Sequence, residues 1–296
     1  MTDFHTPVMP KEVIHYLNIK PNFWYVDCNL GGGGHTKVIL EAGGKVLGID
    51  LDPDATLEVN KKYSSEIDSG ALIICQSNFS DLKKIVEQFK LEGKVFGILF
   101  DLGVSSHQLE TPKRGFSFNL EAPLDMRMNA ESTSVTATDL INALHEKELT
   151  ELFWKFGEER FSRPITRKIV EAREKKPIQT TNELAQIILS VRHTSRKDRT
   201  HPATRVFQAL RIAVNDELYS LELALPQALE ILNPEGRLVV ISFHSLEDRI
   251  VKNFFKNEYK KSTLTILTRK PIIPSKEEVK VNPRSHSGKL RAAEKN

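Results

Sequence analysis

Four short apolar runs punctuate the first hundred residues, at 23–26, 45–49, 72–75 and 95–100, and all but the first are rich in Val, Ile or Leu. Helix-like stretches separate them. Between the third and fourth runs, Leu82, Ile85, Val86 and Phe89 recur at i, i+3, i+4, i+7. Short runs alternating with amphipathic segments predict parallel βαβ units whose sheet is covered on both faces.

From about Thr111 the strand pattern stops. Leu149, Leu152, Phe153 and Phe156 have helical spacing, as do Leu184, Ile187, Ile188 and Val191 behind a candidate N-cap at Thr181. Ile165 and Ile169 mark a helix between them, and a long helix or helix pair is expected over 203–232. It is closed by the turn signal Asn233-Pro234-Glu235-Gly236. An apolar run at 237–243 then reads as a returning strand, with Ser245 and Asp248 as a capping-box pattern for the next helix. A further short strand is expected over 264–267. Strands, helices and strands again imply one α/β domain, residues 1–110 and 206–296, carrying an all-helical insertion at 111–205.

Composition narrows the class. A 40% apolar and 27% charged chain of 296 residues is neither disordered nor collagenous, and no apolar run reaches the ~18 residues of a membrane span. Two cysteines, Cys28 and Cys75, cannot form a disulfide framework or a cysteine-rich metal site, so a reducing cytoplasm is expected. The net charge of +3 hides strong segregation. Residues 1–150 carry 14 basic and 21 acidic side chains, 151–211 carry 14 and 7, 212–251 carry 2 and 7, and 252–296 carry 12 and 4. Two basic segments point to a polyanionic partner, against the alternative of solvated basic faces.

The strongest chemical signal is Asp27-Cys-Asn-Leu-Gly-Gly-Gly-Gly34-His35, directly after the first strand. Its glycines do not fit G-x-G-x-x-G, and no Gly-Lys-Ser/Thr follows to make a P-loop. The pattern Asp-x-x-x-Gly-x-Gly fits a nucleoside site of the kind that holds S-adenosylmethionine. Asp50 ends the second strand 17 residues past Gly33, where a carboxylate accepts from ribose hydroxyls. Asp52 reads instead as a cap for a helix starting at Pro53. The fourth strand ends at Asp101, which either caps the following loop or accepts a hydrogen bond from an exocyclic amine held in line with a donor methyl.

His5-Thr6-Pro7-Val8, the glycine loop, 101–106 with Gln108-Leu109, 114–118, 123–128, 207–217, 241–249 and Asn282-Pro283-Arg284 together resemble the bacterial RsmH (MraW) methyltransferase family. The resemblance implies a class I (Rossmann-like) S-adenosylmethionine-dependent methyltransferase sheet that methylates N4 of a cytidine in the decoding centre of 16S rRNA. It implies S-adenosylmethionine as cofactor, bound at Gly33, Gly34, His35, Asp50, Phe79, Asp101 and Gln108, with Asp101 catalytic. Composition alone places Phe79 in the core. The sequence departs from the family pattern at Asn29, where Thr is usual, and at Ser285-His286 and Gly288 near the end.

The expected partner is 16S rRNA or the small ribosomal subunit, with no membrane and no metal; monomer and homodimer are both open. Candidate RNA contacts are Arg114 and Phe116, with Phe118 equally readable as core, and a basic loop of Arg192, Arg196, Lys197 and Arg199. His244, just after the fifth strand, either reaches the base or is a hydrogen-bonded structural residue. Two competing readings are a DNA amino-methyltransferase, whose usual Pro-Pro-Tyr/Phe motif is missing after Asp101, and a non-catalytic RNA-binding protein, which the intact Asp50 and Asp101 disfavour.

Overall fold

The computed structural model describes residues 7–119, 121–193 and 200–296. The chain forms two compact units, Met1–Ser105 with Leu218–Asn296, and Ser106–Glu217. In chain order the first unit contributes α1 (Pro10–Leu17), β1 (Trp24–Asp27), α2 (Gly34–Glu41), β2 (Lys45–Asp50), α3 (Pro53–Lys62), α4 (Ser64–Asp68), β3 (Leu72–Gln76), α5 (Leu82–Gln88) and β4 (Val95–Asp101). The second unit holds α6 (Ser106–Glu110), α7 (Ala137–Ala143), α8 (Glu146–Gly157), α9 (Ser162–Arg173), α10 (Thr181–Val191) and α11 (Thr204–Asn215). The chain returns through α12 (Glu217–Ile231), β5 (Leu232–Ser242), α13 (Ser245–Lys260), β6 (Leu264–Ile266), α14 (Lys276–Val281) and β7 (Lys289–Lys295).

The sheet of the first unit has the order β3-β2-β1-β4-β5-β7-β6. Strands β1 to β5 are parallel, and β7 runs antiparallel between β5 and β6. This is the class I methyltransferase arrangement. Successive strand residues face opposite layers. Leu47 and Ile49 pack with Leu82, Ile85, Leu221, Leu225 and Phe255 on one face. On the other, Val46 packs with Val13, Leu17, Ile39 and Val59. Helices on both sides explain why these strands read as unbroken apolar runs. The strand order reverses between β1 and β4, which opens a crevice at their carboxyl ends.

The second unit is longer than the 111–205 expected, because α11 packs on α8 within it. Leu149, Phe153, Ile165, Ile169, Leu184, Ile188, Val206 and Leu210 are all buried. Asn215, at the end of α11, accepts from Met128 N and donates to Met126 O, both at 2.8 Å. The expected span over 203–232 is two helices, broken at Asp216 with φ 49°.

Three local expectations are corrected. Thr180, not Thr181, caps α10, in a capping box with Glu183, while the Thr181 hydroxyl accepts from Ala122 N. His244 and Glu247, not Ser245 and Asp248, form the capping box of α13, and Asp248 instead receives Arg291 Nε at 2.7 Å. Helix α12 does end next to the expected turn, at Ile231, but the segment Asn233-Pro-Glu-Gly236 follows the first residue of β5 instead of preceding the strand. It bulges out within β5 between the pairs Val95–Leu232 and Gly97–Arg237, with Glu235 at φ 62°. No helix among the described residues is long and apolar enough to cross a membrane.

Candidate active site

The crevice is built from the carboxyl ends of β1, β2 and β4. Asp27 pairs with Leu99 in register, and Cys28 N donates to Leu99 O at 2.9 Å, so Asp101 stands two residues beyond Asp27's partner on β4. Between β1 and α2 the chain turns through the glycines. Gly33 is the N-cap of α2 at φ 74°, a left-handed conformation that favours glycine. A Cβ there would lie 2.7 Å from Tyr63 Cε2 and 3.3 Å from Val59 Cγ2. The Tyr63 hydroxyl donates to Gly33 O at 3.2 Å. The turn therefore has helix α3 and its flank as a wall on one side.

Asp50 holds this turn from β2. Its Oδ2 accepts from Gly31 N and its Oδ1 from Asp52 N, each at 2.8 Å. Asp52 takes the capping role expected of it, accepting from Asp54 N at 3.0 Å. Asp27 is almost fully buried, with Oδ2 accepting from Thr36 Oγ1 at 2.8 Å and Oδ1 from Asn29 N at 3.4 Å. Burial pushes the carboxyl of Asp27 up to about 6, against the lowering influence of His35 and Thr36. Burial likewise pushes Asp50 up to about 6, opposed by its two backbone N–H donors. His35 is 3% exposed, and its Nε2 lies 3.2 Å from Asp101 Oδ2. Its Nδ1 and Nε2 and the Asn29 Oδ1 are buried without a hydrogen-bond partner among the described residues, so the approach of Nε2 to Asp101 is a close ion-pair contact.

The remaining expected site residues are placed unevenly. Phe79, in a short 3-10 turn after β3, is half-buried with its ring edge-on to Phe100 at 5.5 Å, so one side packs on the core as composition suggests. Gln108 is buried on α6, in the second unit. Arg114 was expected at a base. Instead its Nη2 donates to Met128 O at 2.8 Å and Arg127 O at 3.3 Å, and its guanidinium covers the Phe116 ring at 5.8 Å. Phe116 is itself buried, a position that packing rather than base stacking explains. Phe118 stacks on His201 at 4.5 Å and meets Phe207 edge-on. Arg192 lies 3.6 Å from the buried Glu159, which makes it an internal ion-pair partner. Arg196 and Arg199 lie outside the described residues. His244 takes the structural alternative: Nδ1 accepts from Glu247 N at 3.4 Å and Nε2 lies 3.1 Å from Glu247 Oε1.

Sequence reasoning did not single out Tyr63, which walls the glycine turn, or Glu278, whose Oε1 accepts from Met9 N at 2.7 Å and whose charge acts on His35. Neither carries a local motif.

Comparison with known proteins decides the family. The model of the MraW methylase family matches residues 2–296. The chain belongs to this family. Curated relatives include the ribosomal RNA small subunit methyltransferase H of Carboxydothermus hydrogenoformans, 48% identical over 98% of this chain and 97% of that protein. The protein of the same name from Heliobacterium mobile is 47% identical over 98% of each. Among solved structures, an rRNA methylase from Streptococcus thermophilus aligns over 97% of this chain and 93% of that one, at 11% identity and a TM-score of 0.45. The fold assignment rests on the strand order itself.

As an MraW methylase the chain is an S-adenosylmethionine-dependent methyltransferase. The crevice fits that cofactor on its own terms. The orphaned polar atoms of Asn29 and His35 need partners that a methionine zwitterion or water supplies. The glycines let the turn pack against Tyr63 and Pro7 where a Cβ would clash, and Asp50 offers carboxylate oxygens at the end of β2.

Proposed function

We propose that this chain methylates N4 of a cytidine in the decoding centre of 16S rRNA. The observation that carries this reading is the placement of Asp101: its carboxylate ends β4 at the sheet's switch point, beside the first turn of the helix that the glycine loop opens. S-adenosylmethionine supplies an electrophilic methyl on a sulfonium. Gly33, Gly34 and His35 would pass its methionine end, Asp50 its ribose and Phe79 its adenine. Asp101 would accept from the exocyclic N4–H. That amine is a weak nucleophile because its lone pair is conjugated with the ring, and an acceptor drawing on N–H favours the pyramidal nitrogen that attacks. The names of the curated relatives support small-subunit rRNA as substrate. The basic segments 151–211 and 252–296, one in each unit, suit its phosphates.

The test is transfer of labelled methyl to small-subunit particles, followed by nucleoside analysis. N4-methylated cytidine from 16S rRNA is expected; label on DNA, or on another nucleoside, rejects the reading.

A pH dependence follows from Asp27 and Asp50. Both carboxyls sit near 6 in the fold, above the ordinary range, so the fold binds their protons more tightly than the unfolded chain does. Their contribution to stability therefore falls as pH rises from about 4 through 6. Cofactor binding has the opposite sign at Asp50, because ribose hydroxyls need an ionised acceptor. Affinity for S-adenosylmethionine should weaken below pH 6 by up to about tenfold per pH unit, with proton release on binding near pH 6. Calorimetry in buffers of different ionisation heat reads both; an affinity flat from pH 5 to 8 contradicts this assignment.

A further inference from the structure

Three carboxylates act on the buried ring of His35, each from a different element: Asp101 from β4, Asp27 from β1 and Glu278 from α14. Asp27 is held by Thr36 Oγ1 and Asn29 N, and Glu278 receives Met9 N. Asp101 is the one whose oxygen lies 3.2 Å from Nε2, with the two side chains only 3% and 8% exposed. Burial opposes a proton on the ring, yet the imidazole is held above its ordinary pKa, because the close carboxylate of Asp101, then the charges of Asp27 and Glu278, outweigh it.

A buried pair of this kind is a poor device for stability, since desolvation offsets much of the attraction. Its location suggests another use. His35 is the second residue of α2, immediately after the glycine turn, so a contact from its ring links the cofactor loop to the end of β4. We propose that His35 is a positioning residue for methyl transfer: its protonated ring orients the Asp101 carboxylate and keeps it ionised as the acceptor for the substrate amine. This rests on the role given to Asp101 above, and it assigns the Nε2 edge of the imidazole a task separate from the cofactor or water contact open to Nδ1.

The test uses the full chain with His35→Ala and His35→Gln, the second retaining an N–H donor without charge. For His35→Ala, kcat should fall about 10- to 100-fold, as misplacing a reacting group does, while loss of the Nδ1 contact registers separately in the KM for cofactor. His35→Gln should recover part of the loss. In both, the acid limb of the kcat profile should move up by about half a pH unit or more, because a carboxylate that loses a neighbouring cation holds its proton more tightly. A packing role alone would lower kcat without moving that limb.

A readout independent of turnover is the NMR titration of the imidazole. His35 should titrate above the ordinary histidine value in the wild type and fall in Asp101→Asn. A ring that titrates at or below the ordinary value and ignores Asp101→Asn overturns the pairing. A normal pairing with an unmoved acid limb overturns the positioning role. Failure of the proposed substrate shows separately, in the nucleoside released from wild-type reactions, and the limb is then read on the acceptor so found.

Discussion

Replacing Asp101 by Ala is expected to lower kcat about 10³-fold, in the middle of the range for a positioned proton acceptor. The fold should survive. The side chain sits at the rim of the sheet, 8% exposed, while the residues that build the core below it, Ile98, Leu99 and Phe100, are fully buried and unchanged. Removing one member of a buried pair usually costs several kcal/mol because a charge is stranded. Here the stranded group is an imidazole, which can release its proton and become neutral near physiological pH. The thermal transition should therefore fall by a few degrees at most, and cofactor affinity by less than about tenfold. Asp101→Asn separates charge from shape. It keeps the volume but presents a weaker acceptor, so its kcat should resemble that of Asp101→Ala. Single-turnover methyl transfer with calorimetric cofactor binding checks both. An Asp101→Ala enzyme within tenfold of wild type removes the assigned role.

Much of this site was legible because its signals are local. The glycine run, the strand before it and the acid after it lie within 27 residues, and Asp50 and Asp101 each end an apolar strand. The unread parts depend on distant residues. Strand β7 has the sequence Lys-Leu-Arg-Ala-Ala-Glu-Lys, weak in β-formers, yet it lies inside the sheet because β5 and β6 pair with it on both sides. Asn-Pro-Glu-Gly reads as the turn between a helix and a strand because its turn chemistry does not show that β5 has already begun at Leu232. Arg114 and Phe116 looked free for RNA because residue type does not show a carbonyl from 13 or 14 residues away.

The charge pattern changes meaning once the units are known. The second unit, 106–217, carries 18 basic and 16 acidic side chains, so it is not a basic domain. Its positive segment 151–211 is offset by acidic residues around it, while the other positive segment, 252–296, closes the sheet-bearing unit. A polyanion would thus be met by stretches within each unit rather than by one charged domain facing another of opposite sign. Binding at graded salt with charge reversals confined to one segment at a time would measure each contribution.

Gly33→Ala is expected to cost about 2–3 kcal/mol, divided between binding of S-adenosylmethionine and folding, from two strains of different origin. The left-handed backbone costs an alanine about 1–2 kcal/mol, and its Cβ would press to 2.7 Å on the Tyr63 ring. That ring is 6% exposed, and its hydroxyl is tied to the Gly33 carbonyl, so it cannot swing aside freely. Where the strain registers depends on the free protein. If the turn relaxes without cofactor, binding must restore it and the loss falls on Kd. If neighbouring bonds such as Gly31 N to Asp50 hold it fixed, the loss falls on folding and lowers Tm instead. The two measurements together should account for about 2–3 kcal/mol. A second substitution divides the total. Tyr63→Leu in the Gly33→Ala background frees space beside the new methyl, so the clash should be relieved and the backbone strain should remain, a coupling that a double-mutant cycle reads directly. A Gly33→Ala protein that matches wild type in both Kd and Tm would mean that the turn need not be left-handed to hold its cofactor.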